Sequence, residues 1–337
     1  MLRKKPTARD VAERAGVSRS LVSMYLRKNP NLWISEQTRK RLDEAIRELG
    51  YRPNRSAQIL REGKSRVAGV VLGGISGTFA SCLSEALMEK MEDAGYRIIL
   101  GITRYDPERE RRVLESMMNQ EMDVLFYTLE PEYVKDLLLQ CAESIPVVIS
   151  EKRPNLPFHS VCFELEGAFQ KALRFLDGQN VRRVALMTNR IGFGEQEFFA
   201  LKGNDCPQLR SFRFDTSAGN NDIPLQELLR FAPDAVISPL GIQTETVRRE
   251  LGSRTLWIDS WSLPFQRQEE GFHPAGTIVR PFRQYVETLS NALLEAIQFS
   301  ERTPRNWSIP AVFLQQKEQF ELREKLLREP YFQSFGY

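Results

Sequence analysis

Arg19, Ser20, Ser23 and Met24 are the residues near the start of this 337-residue chain whose types could do chemistry on a nucleobase. An arginine offers two parallel N–H donors that fit guanine O6 and N7, a contact worth roughly 1–3 kcal/mol of discrimination. Serine hydroxyls donate or accept, and methionine presents only apolar surface, suited to a thymine methyl. Such a set is useful only on a rigid element that can enter a groove.

The stretch 7–26, TARDVAERAGVSRSLVSMYL, supplies that element. Thr7 with Asp10 three residues on is a capping-box start. Val11, Ala12 and Ala15 form a narrow apolar stripe suited to close helix packing. Gly16 falls where the first helix must end and the chain reverse, a position that favours a residue without a Cβ. Ser18 can cap a second helix, on which Leu21, Val22 and Tyr25 or Leu26 are the buried side. Arg19, Ser20, Ser23 and Met24 then stay free. The spacing predicts a helix-turn-helix; the plainer reading is an αα-hairpin.

Charge favours the first reading. Residues 1–66 hold 17 Lys and Arg against 7 Asp and Glu, a net of +10, whereas the other 271 residues sum to −7. A basic head on an acidic body is the footprint of a segment that meets phosphates. Ser35 opens a third helix with Leu42, Ala45, Ile46 and Leu49 on its apolar face, stopped by Gly50. Pro53 then breaks the chain, and Asn54 can cap a short helix over 55–61. Its few apolar residues, Ala57, Ile59 and Leu60, make it marginal without a partner. It reads as a hinge that orders on docking, or as a plain linker.

These residues resemble the LacI/GalR family of bacterial transcription regulators. The resemblance runs from Thr7 through DVAERAGVS and SEQTRKRLDEAIRELGYRPN and continues in VAGVVLGGISGTF and AGYRIILGITRYDPERERRVLESMMNQEMDVLFY. It weakens over about 150–255 and returns at GTIVRPFRQY. It implies a homodimer on a palindromic double-stranded operator, with a recognition helix in each major groove and paired hinge helices in the minor groove. Arg19 and Ser20 fall at the family's main base-reading pair. Met24 stands where many members carry arginine, Leu21 where they carry threonine, and Arg27 where asparagine is common, so the operator sequence does not carry over. Ser18, Ser23, Ser35, Tyr51 and Asn54 match phosphate-holding positions. Leu60 matches a leucine that wedges between base pairs and bends the duplex. Thr7, Arg27 and Ala57 complete the expected DNA-contacting set. Trp33, in a loop slightly longer than the commonest form, can touch the DNA backbone or pack as a loop aromatic.

Past residue 66, apolar strand-like runs alternate with helical ones. Candidate strands are 67–72, 97–102, 123–128, 146–150, 183–188, 209–214, 234–238 and 255–259. Candidate helices are 80–94, 107–120, 131–143, 164–177, 223–231, 242–251 and 281–300. This alternation argues parallel sheets with helices on both faces. The expected fold is a small all-α helix-turn-helix domain plus an α/β, periplasmic-binding-protein-like domain of two doubly wound parallel-sheet subdomains, between which the resemblance implies three crossings. The expected boundaries are 1–52 for the DNA-binding domain, 53–66 for the hinge and linker, and 67–317 for the effector and dimerisation domain. Within the last, the N-terminal subdomain is set at about 67–158 plus 283–306, and the C-terminal one at about 159–280 plus 310–328; a tail covers 318–337.

A ligand would sit at the carboxyl ends of the strands. Ser76 and Phe79, in the loop leaving the first strand, can offer a hydroxyl and an aromatic face to a sugar-like molecule. That loop matches neither G-x-x-x-x-G-K-[ST] nor G-x-G-x-x-G, which argues against a phosphate cradle. Asp259 matches a family position whose carboxylate accepts hydrogen bonds from effector hydroxyls, or it is a turn residue. Trp257 and Trp261 flank it as cleft or core. Glu195, with Gln196, can line the same pocket. The family's Arg-x-x-Gly-Phe segment has no clear counterpart in NRIGFGEQEFFALKG, and 195–222 looks abbreviated, so the effector does not carry over.

Catalysis is not expected: His159 and His273 are far apart, and neither lies in H-E-x-x-H or beside G-x-S-x-G. Cys82, Cys141, Cys162 and Cys206 lack C-x-x-C pairing and suit buried small hydrophobes in a reducing, cytoplasmic compartment. No metal or cofactor is expected. No signal peptide precedes the motif and no apolar run reaches membrane-spanning length, which argues against an exported solute-binding receptor. The tail lacks leucine heptads, so a dimer is expected rather than a tetramer. Two functions remain: a repressor-type regulator answering to a carbohydrate or related metabolite, and a DNA-binding regulator whose cleft has lost its ligand.

Overall fold

The computed structural model describes residues 6–27, 31–52, 63–75, 78–129, 131–150, 156–189, 195–200, 208–214, 222–238, 244–262, 274–299, 303–316 and 318. The chain folds as two compact units, Met1–Ser65 and Arg66–Tyr337.

Among its described residues the first unit holds three helices: α1 (Ala8–Ala15), α2 (Arg19–Leu26) and α3 (Glu36–Leu49). Each begins at a hydroxyl cap. Thr7 Oγ1 accepts the Asp10 N–H while Asp10 takes the Thr7 N–H at 2.6 Å, completing the capping box. Ser18 accepts the Leu21 N–H and Ser35 the Thr38 N–H, both at 3.1 Å. Each such cap stabilises its helix by about 1 kcal/mol. α1 and α3 end alike: Gly16 (φ 65°) and Gly50 (φ 59°) take the left-handed conformation that glycine adopts without strain. The core is small. Val11, Ala12, Ala15, Val22, Leu42 and Ala45 are buried, with Leu21, Tyr25, Ile34 and Tyr51 packed around them. Three alanines among six buried positions let the helices approach closely.

The second unit contains two six-stranded sheets. The first has the order β11-β5-β4-β3-β1-β2, from β1 (Val67–Leu72), β2 (Arg97–Ile102), β3 (Val124–Tyr127), β4 (Val147–Ile149), β5 (His159–Glu164) and β11 (Asn306–Pro310). All five pairings in it are parallel. The second has the order β12-β10-β9-β8-β6-β7, from β6 (Arg183–Asn189), β7 (Gln208–Phe214), β8 (Ala235–Ser238), β9 (Leu256–Ser262), β10 (Gly276–Val279) and β12 (Val312–Gln315). It is parallel except at β12, which runs antiparallel to β10.

Strands β1, β3, β4, β8 and β10 are buried along their whole length, as helices on both sheet faces require. Alternate residues face opposite layers. Ala68, Val70 and Leu72 meet α4 (Thr78–Asp93) and α11 (Phe282–Gln298), while Val67 and Val71 meet α5 (Pro107–Met118) and α6 (Lys135–Ser144). On the second sheet, Val184, Leu186 and Ile258 pack under α7 (Glu166–Asp177) and α8 (Glu195–Ala200). Ala185, Val236 and Trp257 pack with α9 (Asp222–Phe231) and α10 (Thr244–Leu251). Among the described strands the chain passes between sheets three times: after β5, after β10, and between β11 and β12.

Four strands, β5, β10, β11 and β12, were not anticipated from periodicity. β5 also moves a boundary. Residue 159 was expected to open the C-terminal subdomain, yet His159–Glu164 belongs to the first sheet, paired with β4 on one side and β11 on the other. β11 likewise extends the first sheet to residue 310. The β5–β11 pairing joins segments almost 150 residues apart, which no local pattern reports.

Candidate DNA interface and ligand cleft

The turn between α1 and α2 sets the direction of the second helix. Gly16 donates back to Ala12 and Glu13, and the Val17 N–H to Ala12 O at 3.0 Å, so α1 stops within one residue. Ser18 at once caps α2. Val22 is fully buried, which turns the opposite side outward: Arg19 and Ser20 are exposed, Ser23 and Met24 half-buried, and Arg27 exposed at the C-cap. α2 is braced against α3, since Tyr25 Oη donates to Asp43 Oδ1 at 2.7 Å and the Arg39 guanidinium lies 5.9 Å over the Tyr25 ring. Burial and the Asp43 contact together push the Tyr25 phenol above its ordinary pKa.

Thr7, Ser18 and Ser35 share one arrangement. Each side-chain oxygen accepts from its helix at an N-terminus, where unpaired amides and the helix dipole favour an anion. Tyr51 is half-buried against the head core, its N–H donating to Ile46 O at 3.0 Å. Asn54, Ala57 and Leu60 lie outside the described residues, as do Ser76 and His273.

In the second unit, Asp259 is buried in β9. Register places Ser238 on β8 and Thr277 on β10 directly beside it, so three buried polar side chains form one row across the sheet. The Thr277 hydroxyl has no hydrogen-bond partner among the described residues. Between Thr277 and Val279 the β9–β10 register shifts, the mark of a bulge at Ser260–Trp261. Arg280, itself buried, donates from Nη2 to the Ser260 carbonyl at 3.1 Å. Its guanidinium lies 5.6 Å over Phe163 of β5, and Phe163 stacks on Tyr285 of α11 at 4.7 Å. Phe79 joins the same aromatic group, 6.0 Å from Tyr285 and 5.8 Å from Phe282. Phe79, on α4, thus belongs to the layer over the first sheet and the Asp259 row to the second sheet, while Arg280, which follows β10, meets Phe163 of the first sheet.

Two expected cleft residues are otherwise engaged. Glu195 is gripped by Arg213 of β7, with Nε–Oε1 at 3.0 Å and Nη2–Oε2 at 2.6 Å. Those bonds hold its carboxyl below the ordinary glutamate range despite partial burial. Trp257 is buried in the apolar cluster under α9 and α10, so its ring is core. The side chains of Gln196 and Trp261 lie outside the described set.

Residues missed by sequence reasoning are Ser238, Thr277, Arg280 and Arg213. Arg280 stood inside the quoted GTIVRPFRQY run, and the rule that ligands gather at strand ends would have marked it. Tyr105 was also missed. Its ring covers Gly73 so closely that any Cβ there would overlap it, and Arg104 and Tyr105 both adopt positive φ (58° and 57°) at the mouth of the first sheet. Such backbone costs about 1–3 kcal/mol per residue.

Cys82 and Cys141 are buried, and burial pushes the Cys141 thiol up to about 11. Cys162 is half-buried beside the Trp307 carbonyl, and Cys206 lies outside the described residues. His159 is buried too, its Nδ1 accepting the Arg305 N–H at 3.2 Å; burial and the Arg305 charge lower its pKa. Among the described residues no His, Cys, Asp and Glu cluster could hold a metal ion, and no helix is long and apolar enough to cross a membrane.

Residues 7–54 match the family model for bacterial regulatory proteins of the lacI family. The chain is 34% identical to the HTH-type transcriptional regulator GntR of Escherichia coli K12 over 57% of each protein. It spans little more than half the length of the first curated relatives it matches. A crystal structure of the lac repressor dimer bound to operator and the anti-inducer ONPF superposes with a TM-score of 0.74, at 21% identity, over 94% of this chain and 99% of that one. A CelR–cellobiose complex gives 0.59 at 19% identity, over 93% and 99%. Residues 7–54 of the head thus carry the segment described by the lacI-family model, and the two-sheet body has the fold seen in the lac repressor structure.

Proposed function

We propose that this chain is a dimeric, operator-binding transcription regulator, of repressor type, controlled by a small carbohydrate-like effector in the cleft of its two-sheet unit. The observation that carries the reading is the second helix, capped by Ser18 and braced by Val22 and Tyr25, with Arg19 and Ser20 outward on a head of net charge +10. That presents donors to a groove and cations to phosphates. Pairing of two copies is supported by the edge strand β2. Ile98, Ile99, Leu100 and Ile102 are only half-buried there, and neighbouring α4 turns Met88 outward. An apolar edge of this kind invites a second chain. Residues 53–66 join the units, with Asn54, Ala57 and Leu60 as further DNA contacts.

Effector binding and DNA binding are then linked equilibria. The coupling can be no larger than the effector's differential affinity for the two dimer states. The Ser238–Asp259–Thr277 row, rich in acceptors and hydroxyls, suits a polyhydroxylated ligand, with Phe79 as an apolar wall. The work takes place on the chromosome, in the cytoplasm.

In vitro selection of duplex DNA, with and without candidate sugars, tests this directly. A palindromic site whose recovery changes with one sugar is the expected result; failure to retain any duplex at low salt overturns it. Arg19→Ala should relax preference at one base pair of each half-site, and an unchanged selected sequence would refute its base-reading role. A second reading, a regulator with a silent cleft, is favoured by the engagement of Glu195 with Arg213. Calorimetric titration with sugars, nucleosides and their phosphates separates the two, since reproducible binding that alters operator affinity removes the second.

A further inference from the structure

Trp33 is 96% exposed, the extreme among large apolar side chains of the described residues. The loop around it alternates: Leu32 and Ile34 are half-buried, Ile34 against the head core, while Asn31, Trp33 and Ser35 face outward. The fold therefore uses Ile34 to pin the loop and leaves the indole with no ring stack and no hydrogen bond among the described residues. An unburied tryptophan forfeits the large apolar area that makes this residue valuable inside proteins or at interfaces. Its setting specifies the occupant. Two residues later Ser35 caps α3, and Arg27, Arg39 and Lys40 are exposed on the same small head, whose sequence carries a large excess of positive charge. A polyanion would be drawn to that charge and would bring the apolar faces of its deoxyribose rings up to the indole.

We infer that Trp33 is a DNA contact, its indole packing on the sugar–phosphate backbone beside the phosphate held at the N-terminus of α3. This rests on the DNA-binding reading above and adds a non-ionic anchor to it. The contact carries no base information; it fixes how the head sits on the duplex, as backbone contacts do. Because it neutralises no phosphate, it should add affinity without steepening the salt dependence. Polar alternatives at this position would add a hydrogen bond but not the apolar area.

The test uses the full chain, Trp33→Phe and Trp33→Ala, with a short duplex recovered by selection and a scrambled duplex of equal length. Duplex binding is followed by anisotropy of labelled DNA and, separately, by tryptophan emission. The chain has four tryptophans, so subtracting the Trp33→Phe spectrum isolates the signal of residue 33. The expected result has three parts. The isolated emission is quenched and shifted to shorter wavelength on adding duplex. Trp33→Ala weakens binding on the order of tenfold, with an unchanged log–log salt slope and unchanged selected sequence. Trp33→Phe recovers most of the loss.

Duplex binding with no change in that emission, or Trp33→Ala affinity within twofold of the parent, overturns the inference while leaving the DNA-binding reading standing. An emission change on protein dilution rather than on adding DNA would assign the indole to contact between copies, and also overturns it. Absence of any duplex binding removes both. Because Trp33 is 96% exposed, the melting temperatures of the variants should match the parent, which rules out misfolding as the cause.

Discussion

Leu42→Ala tests whether the head is an independent folding unit small enough for one side chain to decide its fate. Leu42 has no exposed surface and is the largest of six buried residues, three of which are alanines. A unit of this size, Met1–Ser65, has a stability of about 3–10 kcal/mol on the usual per-residue scale. Truncating a fully buried leucine removes roughly 2–5 kcal/mol of it, since α1 and α3 are held by their caps and close the cavity only partly. For a domain this short, about 3 kcal/mol lowers the melting temperature by on the order of 12–24 °C. Leu42 belongs to the buried cluster of the head, so its loss weakens that unit. Differential scanning calorimetry should therefore show the head transition falling steeply or vanishing and the core transition unmoved. Duplex at a hundredfold excess over its dissociation constant should return about 2.7 kcal/mol by mass action and restore most of the head transition. A head transition lowered by less than about 5 °C, or an equal fall in both transitions, would refute the reasoning.

Three further outcomes bear on the same parts. Gly50→Ala should cost about 1 kcal/mol of head stability, because φ is 59° and no atom lies near the new Cβ, so the whole effect is conformational; Gly50→Asn should recover part of it in the same calorimetric scan. The Glu195 carboxyl is held below its ordinary value of 4.5 by Arg213, so that stabilisation is fully present above about pH 4.5 and is lost as pH falls through the lower folded value. Glu195→Gln should then flatten the acid limb of core melting temperature against pH below about 4.5, and an unchanged limb would argue against the pairing. Raising ionic strength should weaken duplex binding of the parent along a straight log–log line, and a flat line would exclude phosphate contacts.

Much of the architecture was legible because its signals are local. Hydroxyl caps, left-handed glycines and an alanine-rich stripe define the head between residues 7 and 50. β1, β3 and β8 announce themselves as unbroken apolar runs between turn residues. The strands that escaped notice lack that signal. β5, HSVCFE, mixes polar and apolar positions, β11, NWSIP, is mostly exposed, and β10 and β12 have four residues each. They exist because a distant neighbour provides hydrogen-bond partners. The cleft was half readable for the same reason. Asp259 could be placed at a strand by pattern, but its companions Ser238 and Thr277 became visible only through register across three strands. Arg213 was hidden in the alternation of β7, where LRSFRF points successive side chains to opposite faces. Trp257 misled because an indole beside a strand-end carboxylate suits a ligand wall as well as a core.

The triple passage of the chain between sheets has a consequence for how the molecule can be cut. Each half of the body is assembled from pieces separated in the gene, and the last two strands go one to each half. Shortening the chain before Asn306 would strip a border strand from both at once, leaving β5 and β10 with raw margins ready to zip onto other molecules. No single break yields a self-sufficient half, so fragments meant to isolate one lobe must be spliced rather than trimmed.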